Sequence, residues 1–243
     1  MIVGEQKSIE EISKMTADFE SVLVIGCNTC VAVCHTGGEK EVGILASALR
    51  LKNKMDGRKQ SIEEASVERQ CEKEFVQKLI EKMDKNDCVL SLACGVGPQT
   101  ITEFFPNQIV LPGVNTTFYG MPKEQGIFME MCGGCGNCVL DKTAGICPIV
   151  RCSKSMLNGP CGGSQNGKCE VNKEIDCGWQ LIYDRLKALG RLDIMDEITP
   201  PKDWTFAGHG GPRKMVREYL IIDDRRESDK GGDQKETAKE GGK

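Results

Sequence analysis

An α/β fold is expected for this chain: a small parallel sheet with flanking helices, followed by a cysteine-rich, metal-organised irregular module and a C-terminal helix. Three observations carry that expectation. Apolar, strand-sized runs alternate with amphipathic helical segments through the first half of the chain, the pattern of a parallel sheet with crossover helices. Beyond Met121 this pattern gives way to glycine and cysteine. The 243 residues include 14 cysteines, far above the background of an intracellular protein and below the density of a short disulfide scaffold.

Each element follows from local pattern. Residues 7–20 place Ile9, Ile12, Thr16 and Phe19 at helical spacing, with Ser8 and Glu11 arranged as a capping box. Residues 21–26 (SVLVIG) form a continuous apolar run ending in glycine, a buried parallel strand that feeds a loop holding Cys27, Cys30 and Cys34. Gly37 and Gly38 open a helix to about Asn53, with Val42, Leu45, Ala46 and Leu49 on one face. A weaker strand over about 61–67 precedes Cys71, and a helix over about 72–83 aligns Phe75, Leu79 and Met83. The strand 87–92 (DCVLSL) leads to Cys94, then a short helix over about 98–105 and a strand over 108–111 complete the alternation.

This first domain is assigned to residues 1–120 and the cysteine-rich domain to 121–222. Within the latter, residues 178–192 regain helical periodicity through Leu181, Ile182, Arg185, Leu186 and Leu189, and Pro200-Pro201 ends regular structure. Residues 223–243 are mixed-charge and glycine-containing, so a disordered tail is expected there.

Composition excludes several classes. A hydrophobic fraction of 39% suits a soluble core, and 32 basic against 36 acidic residues, net -4, form no basic block of the kind that tracks a phosphate backbone. Nucleic acid is not an expected partner. The longest apolar stretches, 22–25 and 109–111, fall far short of the roughly 20 residues of a membrane span. The start MIVGEQKSIEEISKM carries charge within a few residues, unlike a secretory signal. A cytoplasmic location is therefore expected, where disulfides are rare and clustered thiols serve metals or redox chemistry.

Cys27, Cys30 and Cys34 have the spacing C-x-x-C-x-x-x-C, which lets thiolates of one loop face a common centre. In an open parallel sheet the loops at the carboxyl ends of strands converge, so Cys71 and Cys94 both qualify as a fourth ligand, the glycines beside Cys94 favouring it. Cys88, at the start of its strand, is expected to be core. The Cys27-x-x-Cys30 unit could alternatively exchange disulfides, as in thioredoxin-like motifs. Gly37-Gly38-Glu-Lys lacks the lysine-serine element of a phosphate loop and suits helix capping better. His35 is expected to donate a hydrogen bond to the site.

In the second domain Cys132, Cys135 and Cys138, followed by Cys147-Pro148, echo the ferredoxin run of three closely spaced cysteines and a last one before proline. The final gap is eight residues here rather than about three, and with Cys152, Cys161, Cys169 and Cys177 the eight thiols make two tetrahedral sets or one. Glycines 133, 134, 136, 159, 162 and 163 would let backbone N–H groups approach cluster sulfurs. Zinc is the structural alternative for part or all of this module.

The stretches CGGCGNCVLDKTAGICPIVRC, NGPCGGSQNGKCEV, DCGWQLIYDRLKALGRLD and PPKDW, from Cys132 to Trp204, resemble the C-terminal cysteine-rich domain of methylenetetrahydrofolate reductases. With GCNTCVAVC, GGEKEVGILASALR, ERQCE and LACG, the chain over about 20–220 resembles the small iron-sulfur subunit of the acetogen-type enzyme. The resemblance implies a non-catalytic electron-transfer subunit with about two 4Fe-4S clusters, one per domain, or a third. It implies a barrel-shaped partner subunit that carries the flavin, expected to be FMN, and reduces methylene- to methyl-tetrahydrofolate. A low-potential donor such as ferredoxin or a larger redox module would supply the electrons. The stretch GGPRK at 210–214 would dock the partner. The competing expectation is a zinc-stabilised scaffold that anchors the flavoprotein to a larger redox complex.

Overall fold

The computed structural model describes residues 1–208 and 211–221. The expected tail at 223–243, and the first residue of the 210–214 stretch, lie outside the described residues.

Four strands form an all-parallel sheet: β2 (Ser21–Cys27), β3 (Ser61–Val67), β4 (Cys88–Leu92) and β5 (Ile109–Pro112), in the spatial order β3-β2-β4-β5. The apolar runs become central strands because both faces are covered: every residue of β4 is buried, and six of seven in β2. On one face Val22, Val24 and Leu90 pack with Ile12 of α1 (Ile9–Met15) and with Leu45, Ala46 and Leu49 of α3 (Glu39–Met55). On the other, Leu23, Ile25 and Val89 meet Val76, Met83 and Ile101. These last come from α4 (Lys73–Val76), α5 (Ile80–Met83) and α6 (Val96–Phe104). Alternate residues of one strand thus serve two cores.

Capping fixes the helix starts. The Ser8 hydroxyl accepts from the Glu11 amide at 3.2 Å, and the Glu41 carboxylate accepts from the Gly38 amide at 3.0 Å at the head of α3. The expected helix over 72–83 is divided, with a 3-10 turn at Gln77–Leu79 between α4 and α5. α2 (Cys30–Val33) is a single turn after β2.

A second sheet was not legible in the sequence. β1 (Ile2–Gln6), β6 (Val114–Glu124) and β7 (Ile127–Cys132) form an antiparallel three-stranded sheet in the order β1-β6-β7. Val3, Val114, Phe118 and Phe128 join it to the α1/α3 core. β6 is interrupted by register shifts at Tyr119/Gly120 and Pro122/Glu124, and it runs straight through residue 120. A side chain at Gly120 would collide with the Met129 carbonyl.

The described residues beyond β7 are irregular apart from α7 (Pro148–Arg151), α8 (Gly178–Ala188) and short 3-10 turns. α8 stops before residue 192 because Gly190 adopts a left-handed conformation (φ 67°), letting the Arg191 amide close on the Leu186 carbonyl at 2.9 Å. Trp179, Ile182 and Leu186 make a small separate core with Cys177. Among the described residues no helix is long and apolar enough to cross a membrane.

Candidate metal centres

At the carboxyl edge of the parallel sheet three strand ends deliver cysteines to one region. β2 ends on Cys27, whose amide bonds the Gly37 carbonyl at 2.8 Å and whose Sγ lies 3.6 Å from Thr29 Oγ1 and 3.9 Å from the Glu68 carbonyl. The Thr29 hydroxyl donates to that same carbonyl at 3.4 Å, so the loop after β2 lies against the loop after β3. The latter is locked by Gln70, fully buried, which donates to the Ile25 carbonyl at 2.8 Å and accepts from the Ser91 hydroxyl at 2.6 Å. Cys71 follows directly, and a side chain at Gly97 in the first turn of α6 would press on Gln70. Cys94, half-buried, immediately precedes that helix. Although Cys71 is exposed as a residue, partial desolvation of its thiol pushes it up, and the neighbouring Cys27 and Cys94 add to the rise.

Cys30 opens α2 and is half-buried. Cys34 closes α2 and is buried, its sulfur 3.2 Å from Thr36 Oγ1, 3.6 Å from the Val31 carbonyl and 4.0 Å from the Gly4 carbonyl of β1. His35 does not serve the site in the expected way: it takes a left-handed conformation (φ 56°) and points to Glu41, with Nδ1 3.8 Å from the carboxylate. Cys88 lies at the opposite end of the sheet with no exposed surface, and burial pushes its thiol up to about 12.

The eight C-terminal cysteines separate in chain order. Cys132, Cys135, Cys138 and Cys147 line one cavity of about 230 Å³ walled by Met131, Val139, Leu140 and Ile149. Gly134 and Gly136 reach it with positive φ, and the Gly134 amide donates to Cys132 Sγ at 3.4 Å. Gly136 packs so closely on the Phe206 backbone that no side chain fits there. Cys152, Cys161, Cys169 and Cys177 line a second space of about 10 Å³ beside Trp179. There the Ser153 hydroxyl, 3.4 Å from Cys169 Sγ, holds that thiol below its ordinary range, helped by the Asn172 and Val171 backbone. Cys161 Sγ donates to Glu170 Oε2 at 3.3 Å, and Lys154 pairs with the same oxygen at 2.7 Å.

One turn of helix joins the two quartets, since Cys147 and Cys152 cap the two ends of α7. Soft thiolates in fours suit iron-sulfur clusters or zinc, so the donor set fits either group. Among the described residues no three His, Cys, Asp or Glu side chains are drawn together tightly enough to hold one ion. A single ion would therefore have to pull its thiolates inward to about 2.3 Å.

Sequence spacing could not show that Gln70 and Ser91 fix the Cys71 loop, because that depends on strands far apart in the chain. A buried polar residue beside a cysteine leaves no periodic signal.

Residues 111–205, spanning β6, β7 and both quartets, match the family described as methylene-tetrahydrofolate reductase C terminal. The match does not extend over residues 20–110, where the resemblance also ran. No curated protein matches the chain. No solved structure matches it either.

Proposed function

We propose, from the match of residues 111–205 to the methylene-tetrahydrofolate reductase C-terminal family, that this chain is the electron-transfer subunit of such an enzyme. It would relay electrons from a low-potential donor, such as ferredoxin or a larger redox module, to the flavin of a partner reductase subunit. The observation that carries the reading is the division of eight cysteines into two adjacent quartets, one around a cavity of about 230 Å³.

A 4Fe-4S cluster at such a site supplies reversible one-electron chemistry. The residues of the chain do the rest. Four thiolates of the first quartet would hold the group, with Met131, Val139, Leu140 and Ile149 as its apolar walls. The Gly134 amide, aimed at Cys132 Sγ, stabilises negative charge on that sulfur. α7 ties the first quartet to the second through a rigid covalent path from Cys147 to Cys152.

A second reading is favoured at one place. The space among Cys152, Cys161, Cys169 and Cys177 is about 10 Å³, much smaller than that of the first quartet, so a small inward movement of the thiolates would suit a single ion. Zinc held there would brace α8 and the loops around it, which is the scaffold role confined to half of the module.

Anaerobic purification with metal and sulfide analysis tests both. Two clusters, one at the parallel-sheet edge and one in the first quartet, require about eight iron and eight sulfide per chain, with one zinc expected in addition. The visible absorption should bleach with dithionite and return when a flavoprotein reductase subunit is added. A colourless preparation containing zinc alone would falsify the electron-transfer reading.

A further inference from the structure

Five cysteines lie near the carboxyl edge of the parallel sheet, and a 4Fe-4S cluster takes four. Resting on the reading of this chain as an iron-sulfur protein, we infer that Cys27, Cys30, Cys71 and Cys94 are the ligands of the N-terminal site and that Cys34 is not.

The inference stands on how the strand ends are fastened. β2 is flanked by β3 and β4 in the sheet, and each of the three strands is followed by one of the cysteines at the same edge. The Thr29 contact with the Glu68 carbonyl holds the Cys27–Cys30 loop against the β3 loop. Gln70 then clamps the β3 loop to β2 through Ile25 and to β4 through Ser91, so Cys71 is delivered between them. Cys27 and Cys94 are thereby the neighbouring thiols whose charge acts on Cys71, and Cys30 sits one residue beyond Thr29 on the Cys27 loop.

Cys34 differs in the element it faces, since the comparable contacts of Cys27 go to Thr29 and to Glu68 beside the Cys71 loop. The Cys34 sulfur lies against Thr36 Oγ1 and the Val31 and Gly4 carbonyls, between α2 and β1. A thiol in those contacts fastens the turn after α2 to β1. The C-x-x-C-x-x-x-C spacing therefore misleads, because one helical turn carries its third cysteine away toward the other sheet. On loading, each of the four ligand thiols would give up its proton to solvent and bind iron as thiolate.

The full-length chain, isolated anaerobically with its clusters, tests the assignment through iron and sulfide content and the EPR spectrum of the reduced protein. Cys71→Ala and Cys94→Ala should each lose about four iron, four sulfide and one cluster signal, whereas Cys34→Ser and Cys34→Ala keep all of them. A second measurement does not depend on a variant that folds. Cys71 is exposed, so it should be alkylated in chelator-stripped protein and protected at least tenfold in the loaded protein. Loss of iron from the Cys34 variants, retention of iron in Cys71→Ala, or equal alkylation of Cys71 in both states overturns the ligand set. Wild-type protein without iron would instead defeat the underlying iron-sulfur reading, so the two failures are distinguishable.

Discussion

Cys88 occupies the first position of β4 with no exposed surface, and burial pushes its thiol up to about 12. Its folded value lies above that of an unfolded thiol, so the stabilisation is complete below about pH 9. It is lost as pH rises from there toward about 12. Cys88→Ala should cost about 1 kcal/mol near neutral pH, leave metal content unchanged, and flatten the alkaline loss of stability. Denaturant melts of both proteins at about pH 8 and pH 10.5 check this; equal slopes with pH would contradict it. At this scale the sequence reading was sound for Cys88, since a strand's first residue lies far from its carboxyl edge. For His35 it was not, because the left-handed turn that sends the ring outward to Glu41 has no spacing signature.

α8 shows what one element does for a site. Ile182 and Leu186 are fully buried beneath the second quartet, and Trp179 Nε1 donates to the Met156 carbonyl at 2.9 Å. Ile182→Ala should destabilise the module by about 2–5 kcal/mol, read as a lower denaturation midpoint. Gly178 is placed where any side chain would strike the Arg151 backbone, at the contact of α7 and α8 beside Cys152 and Cys177. Gly178→Ala should therefore weaken metal retention at the second quartet about tenfold or more while iron at the first quartet persists. Competition with a chelator, followed separately for zinc and iron, distinguishes that from general unfolding. The periodicity of α8 was legible in Leu181, Ile182, Leu186 and Leu189, but its early end was not, since it depends on the conformation of Gly190.

At the scale of the molecule, apolar burial is unevenly distributed. The parallel sheet has two substantial cores, whereas the C-terminal module has only the small cluster around Trp179. On the proposed reading, a region with so few buried apolar groups would gain much of its folding energy from bound metal. Metal removal should therefore collapse hydrogen-exchange protection in α8 and leave β2 and β4 protected. Uniform loss across both regions would show that they fold as one unit.

The sequence by itself determined the parallel sheet, because uninterrupted apolar runs such as 21–26 and 88–92 can be satisfied only as strands covered on both faces. It also supplied the set of candidate donors, since 14 cysteines are read directly from the sequence. Only the tertiary structure decided the second sheet, in which Ile2 pairs with Tyr119 in half-exposed strands broken by Gly120 and Pro122. It alone decided the grouping of the cysteines as well. Spacing limits which thiols can meet, while the folded module divides the eight C-terminal cysteines between two spaces at the two ends of α7.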